Sequence, residues 1–227
     1  MTPRHRFLAA LALMLGGAGA SATAQEPAVP AAIGRISEGG PTGHHGCSGV
    51  LVAPDLVLTA AHCAAAFAGS DRIGDLGFLA GFVRGQAVAE GRAVAVILDP
   101  GHAPGPLTAA SVPQDVAVIR LAAPLGEVTP LPLSVLPAPP ARLSVVGYLN
   151  AQPEAPVRRG DCPFRLSLPP LIVLGCPVES GLSGAPVLRD GPEGPAVVGV
   201  VSARAGPALA LAAPLPDWVR ALVAAAD

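Results

Sequence analysis

Net charge is nearly absent from this chain. Its 227 residues hold 14 basic and 16 acidic side chains, a formal charge of −2. Without a basic patch, nucleic acid and anionic membrane surfaces are excluded as partners. No second apolar run of spanning length follows the N-terminal one, which excludes a protein that crosses the bilayer repeatedly. Amphipathic helical periodicity is scarce and no internal repeat is evident, so a helical bundle is not expected. His44, His45, Cys47, His62 and Cys63 lie near one another in sequence but lack paired C-x-x-C or H-x-x-x-H spacing, so zinc is not expected there. No metal or cofactor is implied elsewhere. Aromatic residues, at 3 %, are too few to inform a function.

The N-terminal run is a targeting segment. Arg4, His5 and Arg6 supply a positive start, Phe7 to Leu15 an apolar centre, and Ala22-Thr23-Ala24 a small-x-small cleavage site. Residues 1–24 are therefore expected to be a signal peptide, and residues 25–32 a short N-terminal or pro-segment. The mature protein is expected to be secreted or periplasmic, with no membrane association once the signal is cut. All four cysteines lie in the mature part, which suits two disulfides in an oxidising compartment. Three connectivities are open; pairing Cys47 with Cys63 and Cys162 with Cys176 encloses a short local loop each time.

The mature chain is a string of short apolar runs bounded by glycine and proline. Gly49-Val50-Leu51-Val52, Leu56-Val57-Leu58, Ala93 to Leu98, Val116 to Leu121, Leu143 to Tyr148 and Val197 to Ser202 read as strands. Many short strands without intervening helices predict a barrel or sandwich. The segment Pro124 to Ala141 carries six prolines before its end, cannot join a sheet interior, and is expected to connect two lobes. Lobe 1 would span about 33–123 and lobe 2 about 142–227. One helix is expected, Trp218 to Ala226, with Asp217 as its cap.

Three residues offer a nucleophilic constellation. Ser183 lies in Gly181-Leu182-Ser183-Gly184-Ala185-Pro186, where glycines let the backbone turn tightly and approach a bound peptide. A serine hydroxyl needs a base, and His62, in Leu58-Thr59-Ala60-Ala61-His62-Cys63, follows an apolar strand and precedes a cysteine that would anchor it. The other histidines fit less well: His5 leaves with the signal, His44 and His45 fall in a glycine-flanked turn, and His102 sits in a Pro/Gly-rich loop. A histidine base needs a carboxylate to hold its tautomer, and Asp115, in Gln114-Asp115-Val116-Ala117-Val118-Ile119-Arg120-Leu121, precedes an alternating apolar run that dives into a core.

The order His62, Asp115, Ser183 and these flanks resemble the trypsin/chymotrypsin family of serine endopeptidases, and within it the bacterial secreted branch that includes the glutamyl endopeptidases. The resemblance extends from about Ile33 to the C-terminus. It implies two six-stranded antiparallel β-barrels, an all-β fold closed by a short C-terminal helix, with the catalytic groups meeting between the lobes. It implies an oxyanion hole from the N–H groups of Gly181 and Ser183, support of Asp115 by Ser202, and the bridge Cys47–Cys63. A polypeptide substrate and a monomer are the expected partner and state.

Two departures follow. Trypsin has an aspartate just before the nucleophile that pairs with a newly cut N-terminus; here that residue is Leu182, and no I-V-G-G follows the signal, so no such activation is expected. The resemblance puts Pro177 at the base of the specificity pocket, with Val178, Val201 and Ala203 lining it, which predicts a small or medium apolar residue at the cleaved position. The glutamyl enzymes place a histidine where this chain has Val201; Arg204 lies close enough in sequence to reach the pocket mouth. A catalytically silent binding module on the same fold, or an esterase using the same acyl transfer, are the competing functions.

Overall fold

The valine-rich runs form strands in the computed structural model, which describes residues 28–40, 43–139, 141–166 and 170–226. The expected signal peptide and the start of the segment 25–32 lie outside the described residues. Ile33–Glu38 (β1), His44–Ala53 (β2), Leu56–Thr59 (β3), Leu76–Ala80 (β4), Ala89–Leu98 (β5) and Ala117–Leu121 (β6) pair antiparallel in the order β1-β2-β3-β6-β5-β4 and close into a barrel. Ala141–Leu149 (β7), Gln152–Leu166 (β8), Ile172–Leu174 (β9), Pro186–Gly191 (β10), Gly194–Arg204 (β11) and Ala210–Pro214 (β12) close a second one in the order β7-β8-β9-β12-β11-β10. The two barrels share one strand order, a structural repeat that the sequence does not display. Closure pairs the sheet edges that would otherwise expose unpaired backbone groups.

Each barrel is filled largely from its own strands, while Val146, Tyr148, Leu188, Val197 and Val200 of the second pack into the first barrel's cluster. Leu51, Leu56, Leu58, Phe78 and Ile119 are buried in the first, Leu143, Phe164, Ile172 and Val198 in the second. Each such side chain contributes about 1.5–3 kcal/mol by leaving water. The turn at Pro54 and Asp55 joins β2 to β3, and Asp55 is fixed to Arg120 on β6 at 2.7 Å. His44 and His45 open β2, opposite Glu38 and Ser37, instead of occupying a turn.

Among its described residues the proline-rich connection carries a single parallel bridge, Leu133 to Val197. Its backbone is nonetheless tied down: Leu131 N–H donates to Leu51 O at 2.9 Å, and Ser134 N–H to Val197 O at 2.8 Å. The C-terminal helix, Asp217–Ala224 (α2), sits on this strap and returns to the first barrel, where Trp218 Nε1 donates to Asp99 Oδ2 at 2.8 Å. Asp217 does not cap it. Pro216, extended at φ −72° and ψ 158°, holds the cap position and makes no side-chain cap bond, so Asp217 falls inside the first turn, where its charge complements the helix dipole. A single-turn helix absent from the sequence reading, Ala61–Ala64 (α1), follows β3.

The barrels meet across polar as well as apolar contacts. Arg35 on β1 is buried with its guanidinium 4.3 Å from the centre of the Phe82 ring. Tyr148 on β7, also buried, donates its hydroxyl to Phe82 O at 3.0 Å. Arg84 N–H donates to Glu154 O at 2.7 Å nearby. Among the described residues no helix is long and apolar enough to cross a membrane.

Candidate active site

The site lies where the barrels face one another, and each of its side chains is aimed by a specific backbone feature. His62 stands on α1, one turn after the buried strand β3. The bond Cys47–Cys63 ties that turn to β2, and Cys162–Cys176 ties β8 to the segment after β9. Because Cys47 and Cys63 are joined to each other, neither sulfur is a thiolate donor beside His62. Asp115 ends a 3-10 turn at residues 112–114, with its N–H on Val112 O at 3.0 Å, just before β6. Ser202 sits at an irregularity in β11, where the register with β12 shifts between Val201 and Ala203. Such a bulge re-aims one side chain, here out of the second barrel and toward the first.

These three elements converge on one carboxylate. Asp115 is 1 % exposed. Its Oδ1 accepts the His62 backbone N–H at 2.8 Å; its Oδ2 accepts both His62 Nδ1 at 2.7 Å and Ser202 Oγ at 2.5 Å. A buried carboxylate is costly unless its lone pairs are filled, and three donors fill them here. Since the carboxylate accepts, Nδ1 carries the ring hydrogen and Nε2 is left with its lone pair. The imidazole is part-exposed, its side chain 31 % accessible.

Ser183 is brought to the same cleft by its neighbours. Its carbonyl accepts Ser48 N–H at 2.7 Å, and Gly184 N–H donates to Val201 O at 2.8 Å. Gly184, at φ +77°, packs so closely on β3 that an added Cβ would lie 2.1 Å from Thr59 Oγ1 and 2.2 Å from Ser48 O. Among the described residues no hydrogen bond joins Ser183 Oγ to His62 Nε2; that nitrogen lies 3.6 Å from Cys63 Sγ.

The turn before Ser183 leaves two donors unused. The N–H groups of Leu182, Gly184 and Ala185 bond to Glu179 O, Val201 O and Leu182 O. Those of Gly181 and Ser183 have no acceptor among the described residues. Their peptide planes are set from behind: Asn150 N–H holds Ser180 O at 2.9 Å, and Ala185 N–H holds Leu182 O at 3.0 Å. Leu182 is fully buried in the second barrel's core.

A cavity of about 140 Å3 opens beside Ser183, lined by Val178, Glu179, Ser180, Val201, Ser202, Ala203 and Arg204. It includes three of the four residues expected to form the specificity pocket. The fourth, Pro177, is exposed and does not line it, because Cys176 is anchored by its disulfide and the chain turns outward there. Arg159 bridges to Glu179 at 2.8 Å. A second hollow of about 210 Å3 is walled by His62, Asp115, His102, Pro104 and Leu107. The wall from the 102–107 loop, the anchoring by Asn150 and the contacts of Ser48 had no sequence signal.

A family model described as a trypsin-like peptidase domain matches residues 47–200. No curated protein sequence matches the chain. Among solved structures, a thermostable serine protease, AL20, from an extremophilic microorganism is similar at 18 % identity and TM-score 0.64, over 85 % of this chain and 96 % of that one. Human heparin binding protein is similar at 19 % identity and TM-score 0.66, over 86 % and 94 %. At these identities the likeness is one of fold.

Proposed function

The chain belongs to the trypsin-like peptidase domain family, and on that premise we propose that it is an exported serine endopeptidase acting through an acyl-enzyme. The observation that carries this reading is the shared Asp115 carboxylate, which fixes the imidazole with Nε2 free to take a proton. Ser183 Oγ attacks the scissile carbonyl carbon while its proton passes to His62 Nε2. The tetrahedral oxyanion accepts from Gly181 and Ser183 N–H, one such donor being worth about 2.7–4 kcal/mol. His62 then gives the proton to the leaving amine, and water repeats the sequence to release the acid and restore Ser183.

The cavity beside Ser183 holds a small or medium apolar side chain at the cleaved position. At about 140 Å3 it is well below the ~300 Å3 of ordinary ligand pockets, which limits the side chain's size, and Val178, Val201 and Ala203 supply the apolar part of a wall that also carries Glu179, Ser180, Ser202 and Arg204. Preference for glutamate is not proposed, since Val201 is buried and apolar. We place the chain with the bacterial secreted enzymes, acting as a monomer on polypeptides outside the cytoplasm. Two disulfides suit that compartment.

A second reading, a silent binding module, is favoured by the missing bond between Ser183 Oγ and His62 Nε2. Resting hydroxyls of this kind often close only on substrate. The test treats the mature protein with a fluorophosphonate and assays a mixed peptide library. Label on Ser183 with cleavage after small apolar residues supports the proposal; a folded protein that takes no label supports the module, and ester turnover without peptide cleavage an esterase.

A further inference from the structure

Ser48 stands in the first barrel, on β2 beside Cys47, yet three of its four polar contacts lie in the second. It is fully buried. Its hydroxyl donates to Gly181 O at 2.8 Å and accepts from Tyr148 N–H at 2.8 Å. Its N–H donates to Ser183 O at 2.7 Å, and its own carbonyl accepts Thr59 Oγ1 at 2.8 Å. One serine thus grips both ends of the turn that carries the two N–H groups without an acceptor among the described residues.

We propose that the Ser48 hydroxyl is a positioning residue for the oxyanion hole, reaching across the lobe boundary to hold the Gly181 carbonyl. The inference rests on the reading of Ser183 as nucleophile. Its physical basis is direction. Gly181, at φ +102°, has no Cβ to limit rotation. Residue 182, the member of the turn between the two donors, is a leucine whose burial supplies packing but fixes no peptide plane. The directional restraint therefore comes from hydrogen bonds: Asn150 N–H on the Ser180 carbonyl, Ser48 Oγ on the Gly181 carbonyl, Leu182 N–H on Glu179 O, Ala185 N–H on the Leu182 carbonyl and Ser48 N–H on the Ser183 carbonyl. Of these, only the Ser48 hydroxyl belongs to a side chain. Loss of that bond leaves the 181–182 peptide, which lies between the two donor-bearing peptides, held only by Leu182 N–H on Glu179 O at 3.1 Å, and its rotation shifts the flanking Gly181 and Ser183 N–H groups away from the developing charge. The arrangement also makes the hole dependent on barrel docking, because the donor and the turn it holds belong to different barrels.

The test compares parent and Ser48→Ala in kcat and KM on one peptide substrate, and in affinity for a peptide boronic acid and for the amine-side product of cleavage. The boronate's tetrahedral adduct places an oxygen in the hole; the amine-side product, which lacks the scissile carbonyl, does not. Ser48→Ala is expected to lower kcat roughly 10- to 100-fold with KM within about twofold, as a small misplacement of a catalytic donor does. Boronate affinity should fall by a similar factor and product affinity should not. A kcat and a boronate affinity within about threefold of the parent would overturn the inference, as would a loss confined to KM. Should Ser48→Ala not fold, Ser48→Gly removes the same hydroxyl and is read by the same ratios. If the parent itself neither cleaves peptides nor takes the phosphonate, the peptidase reading falls first; if the parent is active and the variant equals it, only the role of Ser48 falls.

Discussion

Gly184→Ala is the substitution on which the packing of the two barrels bears hardest. The residue adopts φ +77°, which costs an alanine roughly 1–2 kcal/mol. Its new Cβ would start 2.1 Å from Thr59 Oγ1 and 2.2 Å from Ser48 O, where 3.0 Å is the nearest that real Cβ atoms come. Neither neighbour can yield cheaply, since Thr59 and Ser48 are both fully buried and bonded to each other at 2.8 Å. Overpacking of this kind costs a further 1–3 kcal/mol or so. The sum, about 2–5 kcal/mol, should lower Tm by roughly 4–20 °C for a chain of this size. The turn bearing Ser183 must also retreat by about 0.9 Å, and a displacement near 1 Å costs on the order of 10²-fold in rate. Thermal melts and kcat measured well below Tm check both parts. Gly126→Ala, where an added Cβ meets nothing within 4 Å, is the control and should change neither. A Gly184→Ala protein that melts within 2 °C or so of the parent and keeps kcat within about threefold would refute the argument.

Three further outcomes follow from particular residues. Burial raises the phenol pKa of Tyr148, only partly offset by its bond to Phe82 O and by Arg35. The unfolded phenol ionises near pH 10 and the folded one does not, so stability is full below about pH 10 and declines above it. The chain has a single tyrosine and no lysine, so that decline belongs to Tyr148; Tyr148→Phe should remove it in urea melts between about pH 9 and 11, and an unchanged slope would count against it. Replacing Cys162 and Cys176 by alanine opens a bridge of sequence separation 14 and should cost about 3 kcal/mol, read as a Tm lower by roughly 6–12 °C; no shift would contradict the loop-closure argument. Because Leu182 is buried among apolar side chains and offers no ion-pair partner, a mature chain carrying a few extra residues before Ile33 should keep its kcat, and activity gained only on cutting there would disprove it.

What was readable in the sequence was local. Six valine-rich runs announced β2, β3, β5, β6, β7 and β11, because burial of alternating or continuous apolar residues leaves a short-range pattern. Gln152–Leu166 did not announce β8: Pro153, Pro156, Pro163, Arg158 and Arg159 make it read as loop, yet it pairs with β7 across two register shifts. Pro153 and Pro156 fall within the second of those shifts, where the ladder needs no donor, while Pro163 pairs in register with Arg142. At three residues, β9 is too short to show any period. Asp217 misled because a good capping residue stands beside a proline that takes the position first. At the site, His62, Asp115 and Ser183 stood out by their flanks. Ser48 could not, since a serine between a cysteine and a glycine in an apolar strand looks like any core residue; its role arises from contacts 133 and 100 residues away in sequence.

The central claim is that Ser183 becomes covalently acylated by a peptide substrate with His62 and Asp115 serving it. Acid-quenched turnover of a small apolar peptide ester, followed by mass mapping of the digested protein, tests that claim most directly. The account predicts the acyl mass on the peptide containing Ser183, and a Ser183→Ala protein that keeps its fold but loses turnover by a factor on the order of 10⁶. An acyl group found on another residue, or a Ser183→Ala variant that retains most of its activity, would contradict it.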